Sequence, residues 1–125
     1  MKLHLTTAEN NNLITGYGEG FIEINKKRHS QALIVLANQL ILDWNAASFA
    51  ELTAAHFTEI ADIRPEVVLL GTGSRHRFLH PKIAQNLTEK GIPIESMTTA
   101  AACRTYNILM SEGRNVAAAL LINSD

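Results

Sequence analysis

A chain of 125 residues has the length of one ordinary domain, and a composition of 46% hydrophobic and 18% charged residues excludes a disordered polymer. Eleven basic against twelve acidic residues leave a formal charge of −1, without the broad positive field that binding a nucleic-acid backbone needs. One cysteine, Cys103, excludes an internal disulfide and a multi-cysteine metal site, and the longest apolar run, Val116 to Ile122, falls far short of the roughly 20 residues of a membrane helix.

The N-terminal residues turn polar at once and lack the apolar core of a signal peptide, so the expected location is cytoplasmic. From Leu3 to Trp44 short apolar groups alternate with turn-formers: Leu3/Leu5, Asn10-Asn11-Asn12, Leu13/Ile14, Gly16-x-Gly18-x-Gly20, then Phe21/Ile22/Ile24. That punctuation predicts a β-meander. Asn25-Lys26 turns the chain, Lys27 to His29 pairs back, Ala32 to Leu36 is a buried strand, and Asn38-Gln39 leads into Leu40-Ile41-Leu42, giving five or six short strands.

Ser48 is a candidate cap for a helix over about Thr53 to Asp62, which Pro65 ends. Glu66 to Leu70 is a non-alternating, β-branched run, the pattern of a strand covered on both faces. Pro81 suits the first turn of a helix with Ile83, Ala84 and Leu87 inward and Gly91 as left-handed terminator, followed by a strand over Ile92 to Glu95. Thr98 can cap a further helix on which Ala102, Tyr106 and Leu109 form one stripe, beside Thr99, Cys103 and Met110, with Gly113 closing it. Val116 to Ile122 suits helix by propensity, but its length and Gly113 favour a strand.

The order is a β-meander followed by αβαβαβ. It predicts one three-layer α/β domain over residues 1–125, with a central mixed sheet, helices packed on it, and the meander over the remaining face. Ala100-Ala101-Ala102 offers methyl-sized side chains, so the third helix can lie close against the sheet or against its neighbour helix.

Gly71-Thr72-Gly73 follows the buried strand directly, where open α/β sheets bind ligands. A dinucleotide fingerprint would need a third glycine and an immediate helix, and Ser74 to His80 intervene instead, with Glu95 as the only acid placed for a ribose. Arg75-His76-Arg77, His80 and Lys82 form the densest basic patch, and Arg104 and Arg114 flank the third helix. If that helix starts near Gly71, its first amides with Arg104 can hold a small anion; alternatively Arg104 pairs with Glu112 or Glu95. Arg104-Thr105-Tyr106-Asn107 is a polar run on a helix that otherwise reads as buried, so these side chains either reach a pocket or satisfy neighbouring backbone. Cys103 among alanines reads as core packing rather than as a nucleophile, and of five scattered histidines only His76 and His80 share a four-residue spacing. No catalytic, metal or cofactor motif is complete. Lys26 to His29 reads as a solvated hairpin edge.

The combination of Pro65 to Gly73, Gly91-Ile92 through Met97-Thr98-Thr99, Arg104 to Asn107 and Glu112-Gly113-Arg114 resembles a small domain-of-unknown-function family of bacteria, archaea and mitochondria. That family includes the third assembly factor of mitochondrial NADH:ubiquinone oxidoreductase and an adipogenesis-associated MTH-type domain protein, and the resemblance spans essentially the whole chain. It implies a three-layer α/β fold and no established reaction. By carry-over, Gly71, Thr72, Gly73, Arg104, Thr105, Tyr106, Asn107, Glu112 and Arg114 occupy the family's motif positions. The resulting expectation is a non-catalytic protein-interaction or assembly-factor-like module with an unidentified protein partner, monomeric or homodimeric. The alternative is a small-anion or nucleotide-binding protein, an enzyme in one version, with its pocket at Gly71 to Gly73 and Thr98.

Overall fold

A computed structural model describes residues 11–122. The expected strand at Leu3/Leu5 lies outside the described residues. Among the described residues, eight strands form two sheets. β1 (Ile14–Gly18), β2 (Phe21–Ile24) and β3 (Lys27–His29) make an antiparallel three-stranded meander. Asn25 and Lys26, the two residues between β2 and β3, both have positive φ, the conformation of a tight hairpin turn.

The central sheet has the order β5-β4-β8-β6-β7, built from β4 (Leu33–Leu36), β5 (Gln39–Ile41), β6 (Val67–Gly71), β7 (Ile94–Met97) and β8 (Val116–Leu120). β6 pairs parallel with β7 and β8, whereas β4 pairs antiparallel with β5 and β8, so the sheet is mixed. β8 is therefore a strand, and its buried Ala117, Ala118 and Ala119 leave room for close-packed layers on both faces.

The first-half meander divides. Its last hairpin, β4–β5, joins the central sheet, because Leu33-Ile34-Val35-Leu36 is buried throughout and must be covered on both sides. Only β1–β3 packs over a face, and it shares that face with helix α3 (Thr99–Ser111): Ile14, Ile22 and Ile24 cluster with Leu33, Val35, Leu69, Ala102, Cys103 and Tyr106. The opposite face is covered by the chain between β5 and β7, through Trp44, Leu52, Phe57, Ile60 and Leu87.

That covering layer is more broken than the expected helix over Thr53 to Asp62. Two 3₁₀ turns, Phe49–Glu51 and Ala54–Phe57, precede a short α1 (Thr58–Ile63). Ser48 makes no side-chain cap; the amide of Thr53 donates instead to Nδ1 of His56 at 3.0 Å, and Trp44 Nε1 donates to the His56 carbonyl at 2.9 Å. After Pro81 the helix is likewise short, α2 (Gln85–Thr88), with Ala84 and Leu87 buried and Gly91 at φ 73°.

α3 is the longest helix described. Thr98 caps it, accepting from the Ala101 amide at 3.2 Å, and Gly113 ends it at φ 83°. Ala102, Cys103, Tyr106 and Met110 form its buried face. Its first turn presses on the end of β6 so closely that a Cβ on Gly71 would stand 2.9 Å from Thr99 Oγ1 and 3.0 Å from both Thr99 Cα and Leu120 Cδ2. Gly71→Ala is thus expected to lower unfolding stability by about 1–3 kcal/mol through overpacking against backbone. Urea denaturation reads this as a lower midpoint; an unchanged midpoint would show that the helix can retreat freely.

Candidate functional site

The end of β6 and the start of α3 are tied by backbone and hydroxyl hydrogen bonds. The Leu121 amide donates to the Gly71 carbonyl at 3.0 Å, and the Thr72 amide to the Met97 carbonyl at 2.8 Å. The Thr72 hydroxyl is buried 2.6 Å from the Arg75 carbonyl and 3.1 Å from that of Met97; its one proton can serve one of them at a time. Gly73 adopts φ 93°, a left-handed conformation that suits glycine. Thr99 closes the knot: its amide donates to the Gly73 carbonyl at 2.9 Å, its hydroxyl accepts from the Gly73 amide at 2.8 Å and donates to the Leu121 carbonyl at 2.6 Å.

Beside this knot lies an open cleft of about 570 Å³. One wall is the β1–β2 hairpin from Tyr17 to Ile22; the other is Gly73, Ser74, Thr98, Thr99 and Ala100, with Ile122 at the base. Of the first four amides of α3, that of Thr99 serves Gly73, that of Ala101 the Thr98 hydroxyl and that of Ala102 the Thr98 carbonyl. The Ala100 amide has no protein acceptor among the described residues. The lining contains no lysine, arginine or histidine, and its one carboxylate is Glu19.

The structure thus brings together part of the sequence-derived set. Gly73 and Thr98 line the cleft, with Gly71 at the end of β6 and Thr72 between that strand and Gly73. Arg104 does not line it; its guanidinium donates to the Tyr17 hydroxyl at 2.9 Å and so stands behind a wall residue. Arg104 therefore pairs with neither Glu112 nor Glu95 among the bonds described. Thr105 is half-buried on the flank of α3.

Tyr106 and Asn107 face backbone. The Tyr106 hydroxyl donates to the Asn12 carbonyl at 2.8 Å, and burial pushes its pKa up. The Asn107 carboxamide grips one residue of β1 from both sides: its oxygen accepts from the Ile14 amide at 3.0 Å and its nitrogen donates to the Ile14 carbonyl at 2.7 Å. Asn107 thus supplies to β1 what a neighbouring strand would, and Tyr106 holds the segment leading into it.

Glu112 and Arg114 belong to the other end of α3, about 20 Å from the cleft at 1.5 Å per helical residue. Arg114 Nε donates to Glu66 Oε1 at 3.0 Å. The Asn115 amide, then Arg114, hold the Glu66 carboxyl below its ordinary pKa. Cys103 is fully buried; desolvation, opposed only by nearby Arg104, pushes its pKa up to about 12, which keeps the thiol protonated and unreactive at neutral pH. Among the described residues no group of three His, Cys, Asp or Glu could hold a metal ion, and no helix is long and apolar enough to cross a membrane.

The hairpin wall, Tyr17 to Ile22, escaped sequence reasoning, along with the lining residues Ser74 and Ile122, whereas Thr99 and Ala100 lie in the helix start whose first amides were expected at the site. The only signal for it was Gly16-x-Gly18-x-Gly20, which reads equally as ordinary turn punctuation.

Replacing Asn107 by Ala should cost about 2 kcal/mol, since it strands a buried amide and carbonyl of β1, whereas Arg104→Ala should cost under about 0.5 kcal/mol. Thermal or urea unfolding of the two variants checks the contrast. Equal losses would mean that Arg104 is as structural as Asn107.

A family described as protein of unknown function (DUF498/DUF598) matches residues 14–121. The mouse protein named NADH dehydrogenase [ubiquinone] 1 alpha subcomplex assembly factor 3 is 37% identical over 89 residues, covering 70% of this chain and 48% of its own length. The chain thus spans about half the length of that relative. A crystal structure of a Bordetella parapertussis protein superposes with TM-score 0.85 at 41% identity, covering 90% of this chain and 97% of its own. A Bordetella pertussis protein whose solution structure is described as a Mth938-like domain gives TM-score 0.78 at 35% identity, over 91% and 87% of the two chains.

Proposed function

The chain belongs to this DUF498/DUF598 family, and on that premise we propose that it is a non-catalytic, assembly-factor-like interaction module that docks a segment of another protein in the cleft between the β1–β2 hairpin and the start of α3. Relatives named as assembly factors support a protein partner. The observation that carries the reading is the lining of the cleft. It offers apolar and glycine surface, four hydroxyl side chains and one carboxylate, with no histidine or thiol to pair with them as base or nucleophile. Such a surface suits a peptide segment with an apolar side chain, held at its edge by hydrogen bonds to Ser74, Thr98 or Glu19.

A second reading, a small anion at the start of α3, draws on the unpartnered Ala100 amide. Against it stands the lack of any basic side chain in the lining and the presence of Glu19.

A photo-crosslinking residue placed at Ser74, with Ser111 at the far end of α3 as control, separates the two readings in native cells. A discrete protein adduct at position 74 and none at 111 is expected, and its loss in a Glu19→Lys background would place the contact in the cleft. Absence of a position-specific adduct, together with a melting temperature raised by phosphate in wild type but not in Ser74→Trp, would favour the anion instead, since a ligand bound to the folded state must stabilise it.

A further inference from the structure

The loop that leaves the cleft carries a feature the cleft does not use. From residue 76 to 80 burial alternates: Arg77 and Leu79 are half-buried, while His76, Phe78 and His80 face solvent. Phe78 is 84% exposed, the most of any large hydrophobic side chain among the described residues. Both neighbours hold it outward. The Arg77 guanidinium lies over the Phe49 ring at 5.6 Å, and Leu79 packs against the core cluster beneath. On the solvent side the His76 ring stands 4.6 Å from that of Phe78.

The same stretch is charged one way in a chain of net charge −1. Arg75 and Lys82, both exposed, bracket Phe78, and no Asp or Glu occurs between Glu66 and Glu89. The base of the loop is fixed by the Thr72 hydroxyl at the Arg75 carbonyl.

The geometry points to a docking surface at residues 75–82 that takes an acidic segment of another protein, an apolar side chain covering the Phe78 and His76 rings and carboxylates on either side meeting Arg75 and Lys82. The charges select the partner: a basic segment is repelled, and an apolar one strands two cations. An aromatic ring held by its neighbours loses little freedom on binding, which is the usual character of an interface hot spot. A lipid surface fits less well, because stable attachment there takes a broad apolar face or a longer polybasic run. This inference rests on the reading of the chain as an interaction module, but it concerns a surface separate from the cleft lining.

Selection of the whole chain against a displayed library of random peptides, with calorimetry on the selected sequences, tests it. The expected result is enrichment of peptides with Asp or Glu on both sides of an apolar residue. Their affinity should fall about tenfold or more in Phe78→Ser, as truncating a hot spot does, and again in the Arg75→Glu, Lys82→Glu double variant, while Glu19→Lys leaves it unchanged. Phe78 is too exposed for its replacement to unfold the protein. Selected peptides that ignore Phe78→Ser, or no enrichment at all, would overturn the assignment. So would binding lost only in Glu19→Lys, which would leave the cleft reading standing. Sedimentation with phosphatidylglycerol–phosphatidylcholine vesicles that depends on Phe78, in place of peptide binding, would assign the loop to a lipid surface and overturn it too.

Discussion

The carboxamide of Asn107 holds the amide and carbonyl of Ile14 at 3.0 and 2.7 Å, and much of the architecture depends on that pair of bonds. β1 is the edge of its own three-stranded sheet, and its outward backbone groups face a helix rather than a strand. A helix has no free backbone to offer in mid-span, so a side chain must supply both a donor and an acceptor in one plane. Tyr106, the preceding residue, does similar service for Asn12. Asn12 in turn accepts from Asn25 Nδ2 through its side-chain oxygen and donates to Leu36 and Gln39 carbonyls through its side-chain nitrogen. Three elements distant in sequence, the meander, the β4–β5 turn and α3, are thereby locked in register.

The cleft follows from this lock. α3 is fixed against the central sheet at one end by Thr99 over Gly71, where no Cβ fits, and against β1 in its middle by Asn107. With β1 held antiparallel to the helix, the β1–β2 hairpin extends past the helix start and forms the second wall. Arg104 adds a bond to Tyr17 along the same seam. The site is thus a junction of the hairpin and α3, whose spacing is set by the bonds of Thr99, Arg104 and Asn107. A docking role agrees with such a junction, since its walls need no movement to present apolar and glycine surface.

Much of this was legible in the residue pattern, and what was not has a common cause. The Thr98 cap, the Gly91 and Gly113 terminators, the doubly buried β6 and the αβαβαβ order all express local chemistry, and the local signals stand in the structure as read. The division of the meander between two sheets was missed because Ile22/Ile24 and Leu33 to Leu36 look alike as short apolar runs; only the unbroken burial of Leu33-Ile34-Val35-Leu36 separates them. Tyr106 and Asn107 were recognisable as polar residues in need of partners, but those partners lie more than ninety positions away. Glu112 and Arg114 share a motif stretch with Arg104 in sequence, yet the length of α3 carries them to the opposite end of the domain. The order of elements was written locally, and the meeting of β1 with α3 was not.

Bonded to α3 in this way, the β1–β2 hairpin should unfold with the cooperative core rather than on its own. Native-state amide hydrogen exchange at Ile14 measures this directly, because that amide donates to Asn107 Oδ1 and to no other strand. Ile14 is expected to exchange only with global unfolding, with the same protection free energy and denaturant dependence as the amides of β6 and β8. Exchange of Ile14 through a local opening, at a free energy well below that of β6, would show that the hairpin detaches on its own and that the cleft has no fixed second wall.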